Sequence, residues 1–128
     1  MKPAILILDD DHPTLELYTR ELSDEFVVFP CSSTPEAIPL LAREPLAAVV
    51  FEPAMENGGG WEFLQSLADF CIPRHIPIIF CSTQDEHRGE IPPEAGVFLV
   101  KPVLPNQLAK TLNQILHPSS SKSKELSA

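Results

Sequence analysis

Five short runs of valine, isoleucine, leucine and phenylalanine recur along the chain, and they constrain its fold more than any other feature. The runs are AILIL (4–8), FVVF (26–29), AAVVF (47–51), IPIIFC (76–81) and VFLV (97–100). None alternates cleanly between apolar and polar residues, and near-continuous apolar runs are typical of strands covered on both faces. The pattern therefore predicts a parallel sheet with helices on each side.

The segments between the runs carry helical periodicity. Three of them have apolar residues at helical spacing, namely Leu15, Tyr18 and Leu22; Trp61, Leu64 and Ala68; and Leu108, Leu112 and Ile115. Pro13, Pro35 and Pro105 lie near predicted helix starts, where a missing N–H costs nothing, and Thr34 is a suitable N-cap. The alternation of strand and helix predicts an α/β fold of five β-α units.

One proline and one proline pair disturb this regularity. Pro39 falls inside the second helix, where proline removes a hydrogen bond, so we expect a kink or a late start. Pro92 and Pro93 interrupt the segment between the fourth and fifth runs, so the fourth helix should be short or irregular. After residue 117 the sequence is Ser-rich and lacks periodicity, which predicts one domain over 1–117 and a flexible tail or linker stub over 118–128.

Composition excludes several functional classes. A chain of 128 residues at 44% hydrophobic suits one soluble domain, and a net charge of −9 opposes direct binding to nucleic acid. The first apolar run is too short for a signal peptide and no later run is long enough to span a membrane, so we expect a cytoplasmic protein. Cys31, Cys71 and Cys81 lack the spacing of a disulfide framework or zinc site and are expected to be apolar filler.

Polar residues follow the apolar runs at the ends where α/β sheets bind ligands. They are Asp9, Asp10 and Asp11 after the first run, Glu52 after the third, Ser82 and Thr83 after the fourth, and Lys101 after the fifth. Taken singly, the acids could cap a helix, Ser82 could lie in a turn and Lys101 could be solvated. Acids that share a small site repel one another unless a cation or a proton compensates, and oxygen ligands suit Mg²⁺. Their joint placement predicts a functional site.

These motifs together resemble the receiver domain of two-component response regulators, over about the first 117 residues. Asp9 and Asp10 match the acidic pair of that family, Ser82 its hydroxyl residue and Lys101-Pro102 its Lys-Pro pair. Phe98 matches its aromatic switch residue. The resemblance implies a flavodoxin-like, doubly wound sheet with strand order 2-1-3-4-5, and a Lys101–Pro102 bond that is a candidate for the cis form.

The sequence departs from the family at Glu52. The family's phospho-acceptor aspartate lies eight residues before the glycine that opens the third helix, and counting back from Gly60 reaches Glu52. Glu56 stands where the family usually has proline. A glutamate is longer by one methylene, about 1.5 Å, so we expect phosphorylation to be absent or weak. The resemblance then implies an atypical receiver, or pseudo-receiver, with a fixed acid in place of a switchable one.

The expected function is a non-enzymatic signalling module that acts by protein contact, with at most weak autophosphorylation. Its expected partners are a histidine kinase, a phosphotransfer protein or an output domain, with a homodimer left open. Weak Mg²⁺ binding is expected through Asp10 and Glu52, with Asp9 acting through water. Two alternatives remain: a conventional receiver phosphorylated by a histidine kinase, and an unrelated flavodoxin-like metal-binding protein.

Overall fold

Five parallel strands form one sheet in the order β2-β1-β3-β4-β5. The computed structural model describes residues 2–56, 59–83, 89 and 91–117. The strands are β1 (Ala4–Leu8), β2 (Val27–Cys31), β3 (Leu46–Phe51), β4 (Ile78–Ser82) and β5 (Gly96–Val100). The predicted fold class and strand order are confirmed, and several strand ends differ from the apolar runs by one or two residues.

Within the described residues four helices cover the sheet, two on each face. They are α1 (His12–Leu22), α2 (Thr34–Arg43), α3 (Gly60–Cys71) and α4 (Pro105–Leu116). Ile5 and Ile7 of β1 pack towards α1 and α4, whereas Leu6 and Leu8 pack towards α2 and α3. Because successive side chains of a strand point to opposite faces, a fully apolar strand supplies both cores.

The second helix corrects two details of the sequence analysis. Ser33, with extended backbone (φ −148°), occupies the N-cap position, and Thr34 is the first helical residue. Pro39 does not delay the start, since α2 runs unbroken from Thr34 through Pro39 to Arg43. Pro39 is exposed, so the carbonyl of Pro35 that lacks an N–H partner lies on the side where water can bond it. The predicted kink at Pro39 stays a prediction.

Between β4 and β5 the structure describes one short 3₁₀ turn, Pro93–Ala95. Pro92 has extended backbone (φ −61°, ψ 130°), as a residue before proline should. The rest of the predicted fourth helix, at residues 84–88 and 90, lies outside the described residues, as does the predicted tail at 118–128.

Strand β2 forms one edge of the sheet, and its proline faces outwards. Val27 donates its N–H to the Pro3 carbonyl and Cys31 accepts from the Asp9 N–H, so both residues face β1. Alternation then turns the backbone of Val28 and Pro30 to the open side. Pro30 therefore costs the sheet no hydrogen bond and leaves the edge short of one donor.

The cysteines and the lengths of the helices were also predicted from the sequence. Cys31, Cys71 and Cys81 are buried and form no disulfide, as expected of apolar filler. Burial raises the pKa of Cys31 and Cys71 to about 11 and that of Cys81 to about 12. Among the helices of the described residues, none is both long and apolar enough to cross a membrane.

Candidate functional site

Backbone hydrogen bonds beyond the strand ends fix the first atoms of the site. Asp9 N–H donates to the Cys31 carbonyl (3.0 Å), Glu52 N–H to the Leu8 carbonyl (2.9 Å) and Lys101 N–H to the Ser82 carbonyl (3.0 Å). Each of the three charged residues thus continues its strand's ladder by one residue. The sheet itself, more than any loop, sets where these side chains begin.

The Lys101 ammonium bridges two buried carboxylates. Its Nζ lies 2.7 Å from Asp9 Oδ2 and 3.2 Å from Glu52 Oε1. Asp9 is 3% exposed and Glu52 7%, so neither carboxylate is well hydrated. One ammonium is therefore shared by two carboxylates, and Asp9, Glu52 and Lys101 form a three-residue ion-paired cluster with one net negative charge.

The second oxygen of each bridged carboxylate accepts a backbone N–H. Asp9 Oδ1 accepts from Asp11 (2.9 Å), and Glu52 Oε2 accepts from Ala54 (2.9 Å). Buried charges are costly unless they are both paired and hydrogen-bonded. All four oxygens have a partner, so the site is satisfied by the chain's own groups.

Asp10 is hydrogen-bonded to the loop that follows β3. Its Oδ2 accepts the N–H of Glu56, 2.6 Å away in the loop between β3 and α3. That loop can lie close because α3 opens with Gly60, where a Cβ atom would stand 1.9 Å from the Pro53 carbonyl oxygen. The Glu56 N–H therefore holds one carboxylate oxygen of Asp10.

The environment of Lys101 favours its charged form. Burial alone would lower its pKa, but the hydrogen bond and charge of Asp9, followed by the charge of Glu52, outweigh burial and raise the pKa above its ordinary value. Lys101 is therefore an ammonium at any physiological pH. It acts as a fixed internal cation between Asp9 and Glu52.

The other predicted residues lie around this centre. Ser82 is fully buried at the end of β4. Phe98 of β5 is partly buried and packs against the core on the α2 and α3 side. The Lys101–Pro102 peptide bond is cis. Asp11 stands apart from the acid pair, since its carboxylate caps α1 by accepting the Thr14 N–H (3.1 Å).

One buried hydrogen bond near the site was missed by the sequence analysis. Tyr18 on α1 is 3% exposed, and its hydroxyl donates to the Val103 carbonyl at 2.7 Å. The sequence contains one clue. Tyr18 lies at apolar spacing with Leu15 and Leu22, and a buried tyrosine needs a hydrogen-bond partner for its hydroxyl. The partner, 85 residues away in sequence, could not be named without the fold.

The acids offer a divalent cation only part of a coordination shell. Asp10 and Glu52 present hard carboxylate oxygens of the kind that Mg²⁺ prefers, and each oxygen has a second lone pair. Lys101 already pairs with Asp9 and Glu52, which leaves the three residues with one net negative charge. In the described part of the chain no group of three or more His, Cys, Asp or Glu side chains is placed to hold a metal. These residues fit a weakly held Mg²⁺.

Comparisons with known proteins agree with this geometry. The sequence model of the response regulator receiver domain matches residues 5–113. The hydrogenase transcriptional regulatory protein HoxA of Cupriavidus necator is 30% identical over 116 residues, which are 87% of this chain and 23% of that protein. The chain thus spans about a quarter of that relative's length.

Two solved structures illustrate the likeness of fold. A CheY-like receiver domain protein from Methanospirillum hungatei superposes with a TM-score of 0.79 at 18% identity, over 95% of this chain and 99% of that one. A Burkholderia pseudomallei response regulator, solved with a phosphorylated aspartic acid and a calcium ion, gives 0.75 at 16% identity, over 97% of this chain and 75% of that one.

Proposed function

Because the chain belongs to the response regulator receiver domain family of two-component signalling, we propose that it is an atypical receiver in which Glu52 replaces the phospho-acceptor aspartate. Phosphorylation of the wild-type chain is then absent or weak. The domain acts by contact with other proteins and is not an enzyme beyond, at most, feeble autophosphorylation.

The observation that carries this proposal is the contact between Glu52 Oε1 and Lys101 Nζ at 3.2 Å. Glu52 follows β3 directly and its other oxygen is held by the Ala54 N–H. These two contacts hold the carboxylate where the longer side chain places it. The extra methylene also displaces the carboxylate, and a misplacement of about 1 Å can cost on the order of a hundredfold in rate.

The ion-paired cluster of Asp9, Glu52 and Lys101 resembles a phosphorylated site in its charge more than in its shape. The Glu52 carboxylate lies beside Lys101, where a phosphoryl oxygen would form its own ion pair. A phosphoryl group carries more charge and three strong acceptor oxygens, so a glutamate imitates it only in part. We propose that Glu52 gives the domain one lasting state in place of two interchanging ones.

The remaining assignments follow from family membership and stay proposals. Asp9 and Asp10 form the acidic pocket, Ser82 and Lys101 take the phosphate-contact positions, and Phe98 is the aromatic that reports the state of the site. The partner is a histidine kinase, a phosphotransfer protein or an output domain. The cytoplasmic location and the division into a domain at 1–117 and a tail at 118–128 stay predictions from the sequence.

Mg²⁺ binding is proposed to be weak. Asp10 and Glu52 would hold the ion directly and Asp9 through water, and the ion would supply positive charge to the acid cluster. Lys101 competes for this role, because its ammonium already contacts both Asp9 and Glu52. The Burkholderia pseudomallei response regulator, which has a similar fold, was solved with a calcium ion, and this supports the proposal of cation binding.

The conventional alternative, in which Glu52 itself accepts phosphate from a histidine kinase, remains the second candidate. It is favoured by the presence of the other machinery after the strands, where Asp9 pairs with Lys101 and Asp10 is bonded to the Glu56 N–H. The third possibility named from the sequence, a flavodoxin-like metal-binding protein unrelated to signalling, is wrong, because the family match covers residues 5–113.

Replacing one residue separates the two candidates. Glu52→Asp shortens the side chain and should restore a usable nucleophile beside Lys101. After incubation with Mg²⁺ and acetyl phosphate, intact mass should show no adduct on the wild type and one phosphoryl group on the variant. The adduct should be labile to hydroxylamine, as an acyl phosphate is.

Glu56→Asp is the matched control, since it makes the same change in an exposed acid of the adjoining loop. It should stay unlabelled. Robust labelling of the wild type at Glu52 would establish the conventional receiver instead. If neither the wild type nor Glu52→Asp is labelled, the site has lost more than its nucleophile and the chain is an interaction scaffold.

A further inference from the structure

A single hydrogen bond ties the helix that follows the acid pair to the loop that follows the lysine. The Tyr18 hydroxyl on α1 donates to the Val103 carbonyl at 2.7 Å. Val103 lies two residues after Lys101 and is itself 9% exposed. Both partners belong to the core on the α1 and α4 face, alongside Leu108 and Leu112.

The bond lies where it can restrain the lysine. Lys101 is anchored on its N-terminal side by the sheet, through its N–H to the Ser82 carbonyl. On its C-terminal side β5 has ended and α4 begins only at Pro105. Within the intervening loop, the Tyr18 hydroxyl holds the carbonyl of Val103. Lys101 therefore lies between a backbone hydrogen bond of the sheet on one side and a side-chain hydrogen bond on the other.

Packing alone does not account for a tyrosine here. A phenylalanine would fill nearly the same space among the apolar neighbours of α1 and α4, without a hydroxyl to satisfy. Burying a hydroxyl is costly unless it is bonded, and this one is bonded to a carbonyl that no strand or helix uses. Burial raises the pKa of Tyr18 to about 12, so the hydroxyl keeps its proton as a donor.

We infer that Tyr18 is a positioning residue for Lys101: its hydroxyl fixes the loop after β5, and thereby holds the ammonium between Asp9 and Glu52. Its effect on the site acts through the backbone of Val103. The inference rests on the proposed role of Lys101 in the site, but not on whether Glu52 can be phosphorylated.

The test is Tyr18→Phe, read at the lysine itself. The Lys101 ammonium should give a nitrogen-detected NMR signal distinct from those of exposed lysines, because it is held by two carboxylates. In Tyr18→Phe its protons should exchange with water roughly fivefold faster, the factor expected for loss of one ordinary hydrogen bond. Its chemical shift should move towards the exposed lysines.

Thr111→Val is the matched control, since it removes another bond from a side chain to a backbone carbonyl, within α4 (Thr111 to Gln107, 3.0 Å). It should leave the Lys101 signal unchanged. If Tyr18→Phe lowers stability while the Lys101 signal and exchange stay as in the wild type, the bond is structural only and the inference fails.

The wild type supplies a measurement that needs no variant. Tyr18 is the chain's one tyrosine, so the tyrosinate absorbance reports it alone. Ionisation of the folded protein near pH 12 supports a buried donor. A midpoint in the folded protein near pH 10, the ordinary value for tyrosine, would mean that the hydroxyl is not held and would overturn the inference. Phosphorylation assays enter neither measurement, so failure here is distinct from failure of the proposed function.

Discussion

The carboxyl and amino ends of the strands are held by different kinds of interaction. At the carboxyl end, the side chains of Asp9, Glu52 and Lys101 form ion pairs just beyond the strands. Both carboxylates are less than a tenth exposed. At the amino end, the backbone of Gly96 packs directly on Ile78, where a Cβ atom would stand 1.8 Å from the carbonyl oxygen. One end depends on electrostatic balance and the other on close contact of uncharged backbone.

This difference separates function from scaffolding within one sheet. Close backbone contact is short-ranged and indifferent to charge, so it fixes the fold without responding to ligands. A set of buried charges is costly to desolvate and sensitive to any added or removed charge. The carboxyl end is therefore the part of the sheet that an added or removed charge would disturb, and the amino end is not.

The largest expected effect comes from removing the shared cation. Lys101→Met leaves Asp9 and Glu52 buried without compensation, which should lower the free energy of unfolding by about 3–5 kcal/mol. Urea unfolding at neutral pH measures the loss. Adding Glu52→Gln to this variant should recover part of it, because one uncompensated charge is then gone.

Lys110→Met serves as the control for Lys101→Met, since Lys110 is an exposed lysine on α4. Its effect should stay within about 0.5 kcal/mol. If Lys101→Met is no more harmful than Lys110→Met, the ion pairs of the carboxyl end contribute nothing to stability, and the contrast between the two ends is lost.

A slightly smaller loss is expected at the amino end. Gly96→Ala forces a methyl group against the Ile78 carbonyl at a φ of +156°, and overpacking with backbone strain should cost about 3 kcal/mol. Unlike the loss from Lys101→Met, it should not be relieved by Glu52→Gln. Gly89→Ala, where a Cβ atom would meet nothing within 4 Å, is the matched control. A tolerated Gly96→Ala would show that the amino end is not closely packed.

The smallest effect should come from Mg²⁺. If binding is weak, a concentration equal to the dissociation constant stabilises the fold by only about 0.4 kcal/mol. A titration should perturb the fluorescence of Trp61, the chain's one tryptophan, which lies near the start of α3. Asp10→Asn should weaken the response. An unchanged affinity in Asp10→Asn would place the cation elsewhere.

The strands were predictable because their residues are apolar on both faces, as strands covered by helices on each side require. Their order was not predictable from the residues and came from the resemblance to the receiver family. Strand ends were less certain: Phe26 is as apolar as the residues of β2, yet lies just before the strand. The helix start at Thr34 was missed by one position because Ser33 and Thr34 are both good caps. Pro39 does not delay the start of α2, because the helix already begins at Thr34. Whether it kinks the helix stays a prediction.

The location of the site was predictable from strand ends, but its internal bonds were not. Spacing places Asp9, Glu52 and Lys101 at one edge, because the carboxyl ends of parallel strands share that edge. Nothing in the sequence says that Lys101 bridges both acids, or that Asp10 turns to the Glu56 N–H instead. Those choices depend on side-chain directions and on loop backbone, which only the folded chain fixes.

The outward-facing Pro30 also limits how copies of this domain could assemble. Sheets join edge to edge by exchanging backbone hydrogen bonds, and an edge strand that lacks a donor is a poor template for another strand. With β2 blocked in this way, any such joining would have to use β5. A contact between two identical edges is self-complementary and consumes both, so growth would stop at a closed pair and could not continue into a fibre.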